Sequence, residues 1–214
     1  QGVRLSEFLE GLPGEWKDLN RDQQKEALLG LGQELQFRIG EQATVLPSGL
    51  LSLGLLIDSQ GDVSAEVLER RLECFHAFLL RRGTIPETEK VIRFKPLKEA
   101  MARLVSSSKV KRTETEDRGS VFEVNQGRRL TLEYYKNGII HWFVPASLLA
   151  TTLRGRGDEP FRPIDLTLDL RFLLFVTRYE FALDPSHDEE TVERRALAHL
   201  EGAGVVAPNL DGSW

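Results

Sequence analysis

Leucine, isoleucine or phenylalanine returns every three or four positions along most of this chain, the period of helices buried on one face. A short helix carrying Phe8, Leu9 and Leu12 stops at Pro13-Gly14. Asn20 caps the next, with Gln23 as the other half of a capping box, a stripe of Leu28, Leu31, Leu35 and Ile39, and Gly40 as terminator; Trp16 is expected under the turn that follows Pro13-Gly14. Pro47 to Ile57 is apolar all round and reads as a buried helix. Ser64 caps a helix to about Arg82 with Leu68, Leu72, Phe75 and Leu79 inward, leaving His76 on a solvated side. Pro96 opens another, with Leu97, Met101, Leu104 and Val105 inward.

The period then changes. Val110 to Glu114 and Val121 to Asn125 alternate as two strands of a hairpin around Thr115-Glu116-Asp117-Arg118-Gly119. Leu130 to Ala150 reads as a central, largely buried helix in which Tyr134, Asn137 and His141 form one polar stripe. Pro145 lies four residues beyond His141, so a kink or break is expected between them. Arg154 to Pro163 is loop-like. An apolar helix follows from Leu166 to about Phe181, then a capping box of Ser186 and Glu189, a helix with Val192, Ala196 and Leu200, and Val205-Val206.

These elements predict a mainly α fold, a helical bundle with one or two small β-hairpins. The order helix, helix, hairpin occurs over Ser64 to Asn125 and again over Ile164 to Trp214, as two winged-helix-like repeats would have it. The expected organisation is a linker and helices over 1–60, a helical subdomain over 61–153 holding hairpin 110–125 and the central helix, and a second helical subdomain over 154–214.

A net charge of -5 argues against nucleic acid as the main partner. The charge is uneven, however: Lys90 to Arg129 carries eleven Lys and Arg against five Asp and Glu. A local basic surface follows, with Lys109, Lys111 and Arg112 as candidates for contact with an anionic surface. With Arg93, Lys95 and Lys98 they also define the alternative of a winged-helix-like nucleic-acid or protein interaction module.

The single cysteine, Cys74, allows no intramolecular disulfide and no Cys-based zinc site. No stretch reaches the roughly 18 apolar residues of a membrane span. A chain without an initiating Met, whose Trp214 follows a loop-like Asn-Leu-Asp-Gly-Ser, is expected to be part of something longer.

No Gly-x-Ser-x-Gly elbow is present. His187-Asp188-Glu189-Glu190 comes nearest to a metal-ligand cluster, but acids at a helix N-terminus are already explained by the dipole. Neither a metal nor a cofactor is expected. Tyr134, Asn137 and His141 admit two readings, a buried hydrogen-bonded network or an interface or ligand contact.

Leu132-Glu-Tyr-Tyr-Lys-Asn-Gly-Ile-Ile-His-Trp-Phe-Val-Pro145 closely resembles the Tyr-Tyr-Arg/Lys-Asn-Asn-x-x-His motif in the C-terminal region of the glycerol-3-phosphate and dihydroxyacetone-phosphate acyltransferases. Gly138 stands where the second Asn is usual. Thr44 to Leu56 resembles the small-residue helix after that family's acyltransferase domain, and Leu68 to Leu80, with Cys74-Phe75, resembles the helix after it. Gly2 to Leu9 resembles the segment just after the domain's last block.

The family's chemistry depends on a His, four residues, then Asp, in which the His acts as general base on the glycerol hydroxyl. Here Arg81, Ala146, Val192 and Gly204 stand five residues after the four histidines, so the chain lacks the motif, and by the resemblance no catalytic residue is expected in it, although whether it acts as part of an enzyme stays open. The resemblance therefore implies a non-catalytic C-terminal helical scaffold in phospholipid biosynthesis, its partner an upstream acyltransferase domain of the same protein. Acyl-CoA or acyl-ACP would be engaged only through that domain. The implied location is the cytoplasmic side, peripheral to a membrane. Tyr134, Tyr135, Asn137, His141 and Pro145 become a structural or interface motif.

Overall fold

The computed structural model describes residues 5–12, 14–41, 44–58, 61–83, 94–157, 160–177, 180–181 and 189–209. The helices are α1 (Leu5–Glu10), α2 (Arg21–Glu41), α3 (Pro47–Leu56), α4 (Ala65–Arg82), α5 (Phe94–Ser106), α6 (Arg129–Asn137), α7 (Val144–Arg156), α8 (Pro163–Thr177) and α9 (Glu189–Gly202). The strands are β1 (Asp62–Ser64), β2 (Val110–Thr115) and β3 (Gly119–Val124). A mainly α fold with a small hairpin is thus what the chain adopts. Two compact units are formed, one from 1–43, 144–197 and 208–214, the other from 44–143 and 198–207.

In the unit built on 44–143, α3 is the central element. Pro47 opens it at the position where a missing N–H is harmless, and Leu50, Leu51, Ser52, Leu55 and Leu56 are all buried. It packs against α4, α5, α6 and β3, which accounts for its apolar circumference. Two glycines set how closely. A Cβ at Gly54 would lie 2.7 Å from Leu68 Cδ1 of α4, and one at Gly49 would lie 3.2 Å from the Tyr135 carbonyl oxygen of α6. Arg71 fastens the far end, donating to the Gly54 carbonyl at 2.9 Å and to Asp58 at 2.7 Å, where a cation suits the helix C-terminus.

α4 starts as its sequence predicts, Ser64 accepting from the Val67 N–H, and ends at Gly83 with φ 78°. Leu68, Leu72 and Leu79 are buried. The hairpin forms in the expected place, turning at Gly119 with φ 63°. It gains a third strand that the sequence analysis missed: β1 pairs antiparallel with β3, giving the order β1-β3-β2. Three residues, one of them apolar, show no alternation to read. Its partners are distant in the chain: β3 pairs with it, Val63 is buried, and Arg118 of the hairpin turn donates to both carboxylate oxygens of Asp62 at 2.9 and 3.0 Å. The guanidinium holds the Asp62 carboxyl below its ordinary range. The resulting order α3, β1, α4, α5, β2, β3, with the first strand laid on the last, is the topology of a winged helix.

In the other unit α7 packs on α8, and Leu149, Leu166 and Leu170 are fully enclosed. Asp165 begins α8 by accepting from the Arg162 backbone N–H at 2.9 Å, half of a capping box. α2 begins as expected, with Asn20 accepting from the Gln23 N–H and Gln23 accepting from the Asn20 N–H. It departs from expectation elsewhere. Leu28, Leu35 and Ile39 are exposed, no α2 residue is buried, and the helix runs past Gly40 to Glu41. Trp16 is likewise exposed, in a single 3-10 turn.

Among the described residues no strand follows α9, and Val205-Val206 is irregular. The Ser186 cap and the His187-Asp188 pair lie outside the described residues.

Replacing Gly54 by Val would force a branched side chain into Leu68, so a loss of about 1–3 kcal/mol is expected from urea unfolding. Gly30→Ala, with nothing within 4 Å of the new methyl group, should instead gain about 0.5–1 kcal/mol.

Candidate functional site

The motif segment is not one helix. α6 ends at Asn137-Gly138, a 3-10 turn occupies Ile140–Trp142, and α7 starts at Val144. The break expected between His141 and Pro145 therefore begins earlier, at a sequence pair that favours helix ends. Pro145 is the second residue of α7, where it needs no N–H. This corrects the single polar stripe: with α6 finished at Asn137, His141 cannot share a helical face with Tyr134.

The side chains divide accordingly. Tyr134 is 77 % exposed, and with exposed Leu130 and Asn137 it forms the outward face of α6. Tyr135 is half-buried, its ring edge-on to Tyr134 at 6.1 Å. Glu133 lies between Arg129 at 3.3 Å and Lys136. Beyond the helix the apolar members turn inward: Ile139 and Trp142 are 2 % and 1 % exposed. His141 is half-buried with its Nε2 enclosed, its ring 4.7 Å from that of Trp142. Pro145 is half-buried.

What receives this segment is partly α3, since Ile139 Cδ1 would lie 3.4 Å from a Cβ at Gly49. The rest is aromatic. Phe143 stacks on Phe78 at 4.9 Å and meets Phe75 edge-on at 5.4 Å, while Phe78 also meets the His199 ring at 4.9 Å. Such pairs contribute about 0.5–1.5 kcal/mol each beyond area burial. Periodicity could not show this cluster, because its members come from three distant places in the chain. His76, expected in solvent, is half-buried.

Each basic candidate has a polar or acidic neighbour in the structure. Lys109 donates to Ser107 at 2.9 Å, Arg112 holds Glu114 at 2.8 Å and Ser120 at 2.9 Å, and exposed Lys111 stands opposite Glu123 in the register. The Ser120 hydroxyl, with Arg112 adding to it, keeps the Glu114 carboxyl below its ordinary range. Arg93 lies outside the described residues.

One buried acid escaped the sequence reading. Glu193 on α9 is 5 % exposed and accepts from Thr167 of α8 at 2.9 Å. Burial raises its pKa, the Thr167 hydrogen bond opposes the rise, and Glu190 adds to it. Among the described residues no three of His, Cys, Asp and Glu gather as a metal site would require.

Fold and site together define a mainly helical module whose signature segment packs instead of presenting converging reactive groups. The chain belongs to the family of the glycerol-3-phosphate acyltransferase C-terminal region, whose model matches residues 1–211. It is 24% identical to a glycerol-3-phosphate acyltransferase of Pseudomonas syringae pv. tomato over 209 residues, covering 93% of this chain and 23% of the relative. It is 27% identical to one of Shewanella amazonensis over 161 residues, 72% of this chain and 20% of the relative. The chain thus spans about a fifth of the length of these curated relatives. No solved structure matches.

Trp142→Ala should cost about 3–5 kcal/mol in chemical unfolding, whereas Tyr134→Ala should stay within about 0.5 kcal/mol of wild type. Glu193→Gln keeps an acceptor for Thr167 and removes a charge that folding must bury. A raised folded pKa means the acid favours folding at low pH and loses that contribution as pH rises from the unfolded carboxyl range through the folded value. The variant should therefore melt higher than wild type at pH 7, the difference closing near pH 4.

Proposed function

We propose that this chain is the non-catalytic C-terminal helical scaffold of a glycerol-3-phosphate acyltransferase. Acyl transfer from acyl-CoA or acyl-ACP to glycerol 3-phosphate, a step of phospholipid biosynthesis, would be performed by an upstream acyltransferase domain of the same protein. The observation that carries this reading is the family match over 1–211 combined with its coverage of about a fifth of the relatives. The missing His-x-x-x-x-Asp pattern and the inward packing of Ile139 and Trp142 support it.

Two surfaces suit a scaffold. The outward face of α6 sets Leu130, Tyr134 and Asn137 side by side, an interface role for the exposed part of the motif, while Tyr135, His141 and Pro145 hold its packed part. On α8, Ile164, Leu168, Phe172, Phe175 and Val176 are all more than half exposed. They recur at helical spacing on the side opposite buried Leu166 and Leu170. An uncovered apolar stripe of this kind marks a contact surface. These faces are assigned to the upstream domain, and Lys109, Lys111 and Arg112 to a peripheral contact with anionic lipid on the cytoplasmic side of the membrane. No helix among the described residues is long and apolar enough to cross a membrane.

The winged-helix topology favours one second reading, an interaction module bound to protein or nucleic acid. Acidic net charge and the internal pairing of Arg112 weigh against nucleic acid.

Incubated with acyl-CoA or acyl-ACP and glycerol 3-phosphate, the purified chain should release product at the no-protein background rate. Turnover above that rate would contradict the scaffold reading. In flotation with phosphatidylglycerol vesicles, the share of chain that floats should fall when Lys111 is replaced by Glu. Equal flotation of both proteins would remove the lipid contact.

A further inference from the structure

The sheet of the α3-centred unit changes character along its inner face. Val110 pairs with Val124, then Arg112 with Phe122, then Glu114 with Ser120, so one side of the sheet passes from apolar to charged toward the hairpin turn. A cavity of about 750 Å³ opens above this gradient, within the size range of ligand pockets. Leu68 and Leu72 of α4, Leu97 and Met101 of α5, Leu51 of α3 and Phe122 of β3 line it. Its polar groups are few. Lys98, exposed on α5, lines it and has no ion-pair partner among the described residues; Arg112 lines it with guanidinium N–H groups beyond those given to Glu114 and Ser120. Glu69 is the lining acid.

An apolar trough with cationic groups at its polar margin is complementary to a molecule with an alkyl tail and an anionic head. We propose that this cavity binds a single-chain carboxylate amphiphile, the tail between α4 and α5 and the carboxylate at Lys98 and Arg112. The chain holds this site itself, so the inference stands independently of any upstream acyltransferase domain. Wholly apolar ligands fit less well because they forgo the attraction to Lys98 and Arg112. Phosphate alone fits less well because it leaves the trough unfilled.

The test is fluorescence titration of the purified chain with dansyl-undecanoate, followed by displacement with octanoate, decanoate and dodecanoate. Saturable binding is expected, tightening about fourfold per methylene until the tail fills the cavity. Ala102→Trp places an indole into the trough from a lining residue that is itself exposed, and should weaken binding by at least ~10-fold with the unfolding midpoint unchanged. Met101→Trp should do the same from the neighbouring lining position on α5. Lys98→Glu should weaken carboxylate binding several-fold, and Glu69→Gln should strengthen it. The proposal is overturned by an absence of saturable binding below the micellar range, by undiminished binding to folded Ala102→Trp, or by dodecanol binding as tightly as dodecanoate. Lys98→Glu binding like wild type would overturn the assignment of the head group.

Discussion

The close seating of α3 is the constraint on which the unit around it depends. A ten-residue helix with no outward face must be covered on every side, and this chain covers it with two more helices, the end of a third and a strand. Gly54 lets α4 approach and Gly49 lets the end of α6 approach. Side chains at those positions would separate the layers and expose the leucines whose burial stabilises the unit. Arg71 then ties α4 to the carbonyl end of α3, satisfying a group the apolar neighbours cannot.

Seen from α3, the signature segment acquires a physical meaning. It ends one helix, turns once, and starts another, and Ile139 fills the space that Gly49 leaves while Phe143 joins the aromatic cluster of α4. The polar residues that first attract notice take other parts. Tyr134 and Asn137 face outward and His141 leans on Trp142. On the proposed function, the segment builds the fold and offers a surface.

Local rules were legible in the sequence wherever local physics decided the outcome. The Asn20–Gln23 box, the Ser64 cap, the hairpin at Gly119 and the fully apolar α3 could all be read from residue type and spacing. Reading failed where partners are distant. β1 pairs with a strand far along the chain, Arg118 reaching Asp62 across 56 positions, and the exposure of Leu28 and Ile39 depends on what does or does not cover α2. Helical periodicity also ran through Asn137-Gly138 as though the helix continued, because Leu130 to Ala150 keeps an apolar repeat across a real break. At the site, the sequence identified the segment but assigned its polar members to one face, and missed Glu193 because nothing local marks an acid for burial.

The family assignment and the packing are consistent with the proposed scaffold: a helical region, one unit of which is held together around α3, displaying apolar and aromatic faces. Hydrogen–deuterium exchange of the purified chain tests that picture most directly. If α3 is the shared support, the amides of Leu50 to Leu56 and of Trp142 should exchange together, only through global opening of their unit, and long after those of α2. Rapid exchange in α3, or protection of Trp142 that persists after α3 has exchanged, would contradict it.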